Sequence, residues 1–340
     1  MDPSEASVAV LLGGRSGERE VSLQSGAAVL EALAGGVRSL QPVEILPDGR
    51  WQLDGRPLSV GAALEALAEI DLFFLALHGG DGEGGTLQGL LHAAGHRFTG
   101  SGVGPSALCM DKVFTRHLAA EAGLRVARGA TITRAAWSAD STSLLAELGA
   151  WDAPGFALKP RHGGSSVGML LVDSLPAVPA SVERVLETGD EVLAEEIIQG
   201  IEATCGVLGN RGDELQALTP VEIEPSKDAF FTYEEKYSAG GAREHCPPRR
   251  LDDAACQALR ERALRAHEFL RLDGYSRTDF IVPLEGDGSP GEPYFLEVNT
   301  LPGLTERSLL PLSAAHDGLD FPALCRRIAA LGLTADRSLH

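Results

Sequence analysis

Residues 156–169 read Phe-Ala-Leu-Lys-Pro-Arg-His-Gly-Gly-Ser-Ser-Val-Gly-Met, a pattern that predicts a strand, a glycine- and serine-rich loop and a second strand. The first strand would deliver Lys159 to the start of the loop. Glycines allow backbone N–H groups to approach phosphate oxygens closely, and serine hydroxyls add further donors. The P-loop pattern GxxxxGK[ST] is absent. Taken alone, the segment fits a glycine-rich hairpin without a ligand better than a phosphate-binding loop. Residues elsewhere in the chain must decide between the two.

Strand and helix patterns on either side of this segment divide the chain into three regions. The predicted strands span residues 8–12, 72–77, 125–132, 156–160, 167–172, 191–198, 204–208, 214–223, 276–283 and 290–299. The predicted helices span residues 22–33, 60–70, 106–122 and 252–271. In the first region apolar strands alternate with helices, which indicates an α/β protein with an open, doubly wound sheet. Such a sheet binds ligands at the carboxyl ends of its strands.

The last two predicted strands are joined by a connection rich in Gly, Asp and Ser, which indicates an antiparallel pair. Residues two apart on a strand share a face, so Arg277 lies beside Asp279, and Glu297 lies beside Asn299. If the strands pair, one face carries two carboxylates, an amide and a guanidinium group. The oxygen ligands suit Mg²⁺, and an arginine can stabilise negative charge on oxygen in a transition state.

A structural ion pair on a solvated sheet face is the alternative for these residues, with Arg277 bound to Asp279 or Glu297. The flanking residues Phe280 and Phe295 indicate buried strands, where unpaired charge is costly. The sequence therefore favours a metal site over a surface ion pair.

The composition limits the classes of partner. The 340-residue chain has a formal net charge of −19, which argues against nucleic acid or an anionic membrane, since both bind basic surfaces. No apolar stretch is long enough to span a bilayer, and the acidic N-terminus lacks the pattern of a secretory signal. The five cysteines show no CxxC spacing, which predicts reduced thiols in a cytoplasmic protein and no zinc site.

The combined motifs resemble those of an ATP-grasp ligase. They are Lys-Pro at Lys159, the Gly-Ser-Ser-Val-Gly run of residues 164–168, the acidic strand at Glu195, Arg-x-Asp at Arg277 and Glu-x-Asn at Glu297. Four further motifs narrow the resemblance to the D-alanine–D-alanine ligase family, and they lie at residues 12–22, 76–89, 99–112 and 299–305. The ordered set covers nearly the whole chain and is much more specific than any single motif.

The resemblance implies an ATP-grasp fold, α+β in its ATP-binding part, preceded by a Rossmann-like parallel-sheet domain. The implied domains are residues 1–110, the N-terminal domain, residues 111–200, the central ATP-grasp subdomain, and residues 201–340, the C-terminal subdomain with the metal site and a lid loop. The family is commonly homodimeric, so a homodimer is expected. The polar and aromatic segment 230–238 is the candidate lid.

The resemblance also assigns residues to ATP and the metal ions. The implied nucleotide-binding residues are Lys112, Lys159, Gly163, Gly164, Ser165, Ser166, Val167, Glu195, Ile198, Glu202 and Lys236. Asp279, Glu297 and Asn299 would bind two Mg²⁺ ions, which Mn²⁺ can replace.

The amino-acid substrates are assigned in the same way. Glu18 would hold the ammonium group of the first D-alanine, with Ser165 and Tyr237 hydrogen-bonded to Glu18, and His78 would lie near this substrate. Arg277 and the backbone amide of Gly303 would form the oxyanion site, while Ser308 and Leu309 would contact the second D-alanine. A tyrosine at position 237 goes with a D-amino acid, rather than D-lactate, as second substrate.

The implied reaction is ATP-dependent synthesis of D-alanyl-D-alanine for peptidoglycan, through a D-alanyl phosphate. Some alternatives remain open for individual residues. Glu18 stands in a charged run and fits a solvated helix start, and His78 fits a structural histidine with satisfied hydrogen bonds. Gly84 replaces an aspartate that is usual in the family, which predicts a looser first-substrate loop. Arg307 replaces a smaller polar residue near the second substrate.

Three other functions compete with this interpretation. The first is an ATP-grasp ligase that uses D-serine, D-lactate or another amino acid as acceptor. The second is a Rossmann oxidoreductase, suggested by the glycines of residues 13–17, although these do not form GxGxxG and leave the predicted metal face unexplained. The third is a nucleotide sensor without catalysis, which would not need both metal carboxylates and the arginine.

Overall fold

The computed structural model describes residues 2–163, 168–225 and 242–336. Its first sheet has the strand order β4-β3-β2-β1-β5. These strands are β1 (Ser7–Gly13), β2 (Ser39–Ile45), β3 (Trp51–Leu53), β4 (Arg56–Leu58) and β5 (Leu72–Leu75). The central strand β1 pairs in parallel with β2 and β5, as predicted for an α/β sheet, whereas β3 and β4 add an antiparallel edge. Every residue of β5 is buried, which explains its unbroken apolar run.

Five helices accompany this sheet in sequence. They are α1 (Arg19–Leu33), α2 (Val60–Ala66), α3 (Gly80–Glu83), α4 (Thr86–Ala93) and α5 (Val103–Met110). The segments that follow β1 and β5 lead directly into α1 and α3. The carboxyl ends of two neighbouring parallel strands are therefore adjacent, and they bring Glu18 and His78 to the same edge of the sheet.

The predicted helix 106–122 is wrong, because the chain breaks at Asp111 into α5 and α6 (Lys112–Glu121). Asp111 has extended backbone angles, and its carboxylate accepts hydrogen bonds from the N–H groups of Val113 and Phe114, so it caps α6. Side chains of this type compete with the helix for backbone groups. The cap places Lys112 in the first turn of α6.

The second sheet is antiparallel and has the strand order β7-β10-β8-β9. Its strands are β7 (Gly129–Thr133), β8 (Phe156–Pro160), β9 (Leu170–Val172) and β10 (Glu191–Glu196). Helices α7 (Arg134–Gly149) and α8 (Val178–Leu186) belong to the same part of the chain. Strand β8 coincides with the prediction, and residues 164–167, between β8 and β9, lie outside the described ranges.

The third sheet has the order β14-β13-β11-β15-β16-β6, with β12 paired to β11. Its strands are β6 (Arg125–Val126), β11 (Ile201–Leu208), β12 (Gln216–Ala217), β13 (Val221–Glu224), β14 (Arg243–His245), β15 (Tyr275–Val282) and β16 (Tyr294–Asn299). Helix α9 (Asp253–Phe269) begins after its cap residue Asp252, close to the predicted start.

Two predicted strands are wrong in extent, because each is divided into two shorter strands. Segment 125–132 divides into β6, which pairs with β16 of the third sheet, and β7, which pairs with β10 of the second. Segment 214–223 divides into β12 and β13, which both pair with β11. An apolar pattern indicates an extended conformation but carries no information about the partner strand.

The last two helices are α10 (Leu309–His316) and α11 (Phe321–Thr334). Leu324 and Ile328 of α11 are fully buried in the same cluster as Val8 and Phe73 of the first sheet. The end of the described chain thus completes the core around its beginning. None of the helices in the described ranges is long and apolar enough to cross a membrane.

Buried His267 connects three segments of the third sheet region. Its Nδ1 lies 2.8 Å from Ser276 Oγ and its Nε2 lies 3.2 Å from the carbonyl oxygen of Gly209. Burial lowers the pKa of His267 to about 4, although the Gly209 carbonyl and Asp273 act in the opposite direction. The folded protein therefore keeps this imidazole neutral at pH values where an unfolded chain would protonate it.

We expect His267 to make stability depend on pH in a defined window. Its folded pKa of about 4 lies below the ordinary value of 6.5, so its contribution is complete above pH 6.5 and is lost as the pH falls towards 4. The full loss is on the order of 3 kcal/mol. Urea unfolding of the wild type and of His267→Gln between pH 7.5 and 5 should give free energies that converge on acidification. Parallel curves would contradict this, and exposed His316→Gln serves as the control that should follow the wild type.

Candidate active site

The face predicted from the last two strands is present. Strand β15 pairs antiparallel with β16, and Arg277 stands opposite Asn299 while Asp279 stands opposite Glu297. Direct cross-strand partners lie on the same side of a sheet. The prediction that these four side chains share one face is therefore confirmed.

Asp279 is the most heavily bonded group on this face. Arg277 donates to it through Nε and Nη2, each at 2.8 Å, in a bidentate ion pair. Asn299 Nδ2 donates at 3.2 Å and Thr204 Oγ1 at 2.6 Å. The ion pair that the sequence left as an alternative is thus present, but on buried strands rather than on a solvated face, and it uses a carboxylate that the metal prediction also needs.

The donor set on this face fits a magnesium site. Asn299 uses its nitrogen to reach Asp279, which leaves its carbonyl oxygen as a ligand for a cation. Together with the carboxylates of Asp279 and Glu297 this gives the hard oxygen donors that Mg²⁺ prefers. In residues 2–163, 168–225 and 242–336 no group of three or more His, Cys, Asp and Glu side chains could hold a metal. The other ligands would come from Asn299, phosphate and water.

A buried cluster of opposite charges lies on the second sheet. The Glu195 carboxylate accepts from Lys159 Nζ at 2.7 Å and from Arg116 Nε at 3.3 Å. Burial opposes the charge on Lys159, but the Glu195 carboxylate outweighs this effect and raises the pKa of the lysine. Lys159 therefore remains a cation at the start of the glycine-rich loop. Arg116 was not predicted from the sequence, although its position one helical turn after Lys112 on α6 could have indicated it.

Lys112 brings the three regions of the chain together. Its ammonium group donates to the carbonyl oxygen of Gly163, at the base of the loop that follows β8. Burial lowers the pKa of Lys112, while the negative charges of Glu297, Glu195 and Glu18 act to raise it. Carboxylates from the first, second and third predicted regions therefore all act electrostatically on one lysine.

Glu18 is buried at the start of α1, so the alternative of a solvated helix start is wrong. Its carboxylate lies against Gly79, where a Cβ atom would overlap it. Gly79 also has a φ of 61°, a conformation that strongly favours glycine. The loop after β5 can thus approach Glu18 only because residue 79 has no side chain.

His78 uses both ring nitrogens within the protein. Nδ1 lies 2.9 Å from the carbonyl oxygen of Leu301, and Nε2 lies 2.9 Å from Ser25 Oγ. Burial lowers the pKa of His78 to about 4, so the ring is neutral near pH 7. Nδ1 must then donate to the carbonyl and Nε2 accept from the serine hydroxyl. The hydrogen bonds of His78 are those of a structural histidine, which is the alternative that the sequence left open.

Glu83 was not selected from the sequence, yet it connects two motifs. Its Oε2 accepts from the backbone N–H of Gly79 at 3.1 Å, and its Oε1 accepts from Thr300 N at 3.1 Å and Leu301 N at 3.0 Å. The next residue, Gly84, donates to the Gly80 carbonyl at 2.8 Å. This bond uses only backbone atoms, so the looser loop expected from Gly84 stays a prediction.

The segment around Gly303 is held by a neighbouring hydroxyl group. Ser308 Oγ accepts from the backbone N–H of Thr305 at 3.1 Å, and the two side-chain hydroxyls lie 2.9 Å apart. A Cβ atom on residue 303 would come within 2.9 Å of Ser308 Oγ. Ser308 thus maintains the turn that presents the Gly303 amide, and Leu309 follows as the first, half-buried residue of α10.

The remaining predicted residues fall into two groups. Glu202 stands on β11 opposite Ile281, on the same face as Thr204 and Asp279, and Ile198 is half-buried just after β10. Several predicted residues lie outside the described ranges, as does the predicted lid 230–238. They are Gly164, Ser165, Ser166, Val167, Lys236 and Tyr237.

Comparisons with known proteins identify the family of this chain. Residues 118–330 match the family model for the D-ala D-ala ligase C-terminus, and residues 7–60 match that for its N-terminus. A D-alanine–D-alanine ligase of Gluconobacter oxydans is 42% identical over 319 residues, covering 94% of this chain and 96% of the relative. One of Desulfotalea psychrophila is 40% identical over 328 residues, or 96% and 94% of the two chains.

Two solved structures have the same fold. VanG D-Ala:D-Ser ligase from Enterococcus faecalis matches with a TM-score of 0.83 and 32% identity, covering 96% of this chain and 99% of that chain. The D-alanine–D-alanine ligase from Coxiella burnetii matches with a TM-score of 0.80 and 25% identity, covering 97% and 94%. These likenesses bear out the ATP-grasp fold inferred from the motifs. The chain belongs to the D-alanine–D-alanine ligase family.

Proposed function

We propose that this protein joins two D-alanine molecules into D-alanyl-D-alanine with the cleavage of ATP to ADP and phosphate. The observation that carries the proposal is that Glu18 and Glu297, from distant motifs, both act electrostatically on Lys112, which contacts the base of the glycine-rich loop. An ammonium-binding carboxylate, a phosphate-binding lysine and a metal-binding carboxylate are the groups that this reaction needs in one place. A buried arginine, Arg277, supplies a donor for oxygen.

The chemistry has two steps. A carboxylate is a poor acyl donor, because its leaving group would be oxide. One carboxylate oxygen of the first D-alanine attacks the γ-phosphorus of ATP, the bond to ADP breaks, and a D-alanyl phosphate forms. The amine of the second D-alanine, after losing a proton, attacks the carbonyl carbon, and inorganic phosphate leaves as the peptide bond closes. Each step develops negative charge on oxygen that fixed donors can stabilise.

The residues of this chain divide these tasks. Glu18 binds the ammonium group of the first D-alanine through a buried carboxylate that lies against the loop after β5. Lys112 and Lys159 contact phosphate oxygens, and Arg277 together with the Gly303 amide stabilises the tetrahedral oxyanion. The reactive carbonyl must therefore lie between the first-region loop and the third sheet.

Asp279, Glu297 and Asn299 would hold two Mg²⁺ ions, or Mn²⁺, which would offset the negative charge of the triphosphate. Gly163, Gly164, Ser165, Ser166, Val167, Glu195, Ile198, Glu202 and Lys236 complete the proposed nucleotide site. Ser165 and Tyr237 complete the first-substrate site, and Ser308 and Leu309 contact the second substrate. We further propose that the chain divides into domains after residues 110 and 200. The protein would act as a homodimer in the cytoplasm, in peptidoglycan synthesis.

A related ligase with another acceptor is the second candidate. It is favoured by the likeness to VanG, which is a D-Ala:D-Ser ligase, and by exposed Arg307 next to Ser308. The two candidates share the first substrate and the acyl phosphate chemistry. They differ in the second substrate, whose amine or hydroxyl group attacks the carbonyl carbon, so product analysis separates them.

We expect the purified protein with ATP, Mg²⁺ and D-alanine to release one phosphate per D-alanyl-D-alanine formed. Phosphate release and product masses should be measured together, with parallel samples that contain L-alanine, D-serine or D-lactate. L-alanine should give no product, because Glu18 and the oxyanion site fix the orientation of one enantiomer. Faster mixed-product formation with D-serine or D-lactate would move the function to the second candidate, and no turnover with any pair would refute the proposal.

Arg277→Lys should lower kcat by about 100- to 1,000-fold and leave the KM for ATP nearly unchanged. Lysine keeps the charge but cannot bind Asp279 in a bidentate manner while also donating to the oxyanion. Steady-state kinetics of purified variants measure the effect. Arg262→Lys is the matched control, because Arg262 pairs with exposed Glu292 at 3.0 Å. A normal kcat in Arg277→Lys would remove this arginine from the reaction.

Glu297→Gln should raise the Mg²⁺ concentration that gives half-maximal activity at least about tenfold, since a metal ligand loses its charge. Titration of activity with Mg²⁺ at saturating ATP measures the shift, and a chelator in excess should abolish turnover. Glu292→Gln is the control. Glu292 lies in the connection between β15 and β16, outside the site, so this variant should titrate like the wild type. An unshifted curve for Glu297→Gln would exclude Glu297 as a ligand.

A further inference from the structure

The carboxylate of Glu83 joins two segments that are far apart in sequence. One of its oxygens accepts a hydrogen bond from the backbone N–H of Gly79, and the other accepts from the N–H groups of Thr300 and Leu301. The Thr300 hydroxyl lies at 3.4 Å from the second oxygen. A half-buried carboxylate thus spans the gap between the loop after β5 and the segment after β16.

The segment on the far side of this bridge carries two groups of the proposed reaction. Asn299, a proposed metal ligand, directly precedes Thr300, and Gly303, whose amide belongs to the oxyanion site, follows Leu301 by two residues. The peptide groups of Leu301 are fixed twice, since its N–H binds Glu83 and its carbonyl oxygen binds His78 Nδ1 at 2.9 Å. Movement of Leu301 would displace both groups.

The near side of the bridge carries the first-substrate site. Gly79, which donates to Glu83, lies against the carboxylate of Glu18. The negative charge of Glu18 and burial raise the pKa of Glu83 to about 7, with burial as the larger cause. No arginine or lysine ion pair with Glu83 occurs within residues 2–163, 168–225 and 242–336, whereas Glu195 has two and Asp279 has one. The backbone donors take the role that a basic side chain has elsewhere.

For a purely structural connection between two loops, a carboxylate is an energetically costly choice. Two loops of a protein core can be joined by apolar packing, whereas a carboxylate next to Glu18 costs desolvation and repulsion. What a bridging carboxylate adds is a fixed distance and direction between the two backbones, through charge-assisted hydrogen bonds. Reacting groups that are misplaced by about 1 Å can lose about 100-fold in rate.

We propose that Glu83 is a positioning residue for the ligase reaction, which sets the oxyanion amide of Gly303 and the ligand Asn299 relative to the first amino acid bound at Glu18. This inference rests on the proposed function. It assigns Glu83 to the placement of the substrate carbonyl and not to the binding of ATP, because its partners belong to the loop after β5 and the segment after β16.

The test compares Glu83→Gln and Glu83→Ala with the wild type. Glutamine keeps an oxygen for Thr300 and Leu301 but turns an NH₂ group towards the Gly79 N–H, so kcat per folded molecule should fall about tenfold. Alanine leaves all three N–H groups without this acceptor, and kcat should fall about 100-fold. The KM for ATP should stay within about twofold of the wild type in both variants, because the phosphate-binding lysines are unaffected.

Asp81→Asn is the matched control, since Asp81 is an exposed carboxylate two residues earlier on α3. Urea unfolding gives the folded fraction of each variant, and Glu83→Gln carries the test if Glu83→Ala does not fold. The inference is overturned if kcat per folded molecule stays within twofold of the wild type, or if the KM for ATP rises as much as kcat falls. Failure of the proposed function is distinct, because the wild type itself would then make no dipeptide.

Discussion

The buried carboxylate of Asp279 is the group on which the third sheet and the site depend. It accepts hydrogen bonds from Arg277 on its own strand, Asn299 on β16 and Thr204 on β11. A buried charge without partners would be strongly destabilising, so the three strands can take this register only if the donors are in place. The same bonds fix the direction of the arginine and the amide that the reaction uses. Stability and pre-organisation of the site therefore come from one set of contacts.

The charges of the site are balanced in pairs that differ in how firmly they are held. Lys159 is bound to Glu195, which also receives Arg116, so these side chains are held by ion pairs before any substrate binds. Lys112 instead donates to the carbonyl oxygen of Gly163, a neutral partner. A phosphate oxygen would be a much stronger acceptor for this ammonium group. Phosphate binding would thus draw most on Lys112, and through it on the base of the glycine-rich loop.

The sequence predicted the shared face of β15 and β16 correctly, because strand periodicity alone determines which side chains lie together. It failed at a local helix cap and where long-range partners decide the outcome. The helix pattern across Asp111 is continuous, and only the capping bonds of that aspartate reveal the break. Segment 125–132 gave no sign that its halves join different sheets. Glu83 was not selected from its glycine-rich loop, since its partner Thr300 lies 217 residues away.

The separation of these partners has a consequence for how the site forms. His78 and Glu83 hold the loop after β5, and both do so through the backbone of Leu301, more than 200 residues later. Ser25 adds a third connection, because its hydroxyl accepts from the N–H of Leu304 at 3.3 Å. The proposed site for the first amino acid is therefore incomplete until the last motif has folded against it. Both steps of the proposed reaction act on one carboxyl group, and a single hydrogen-bonded framework keeps its activation and its attack in register.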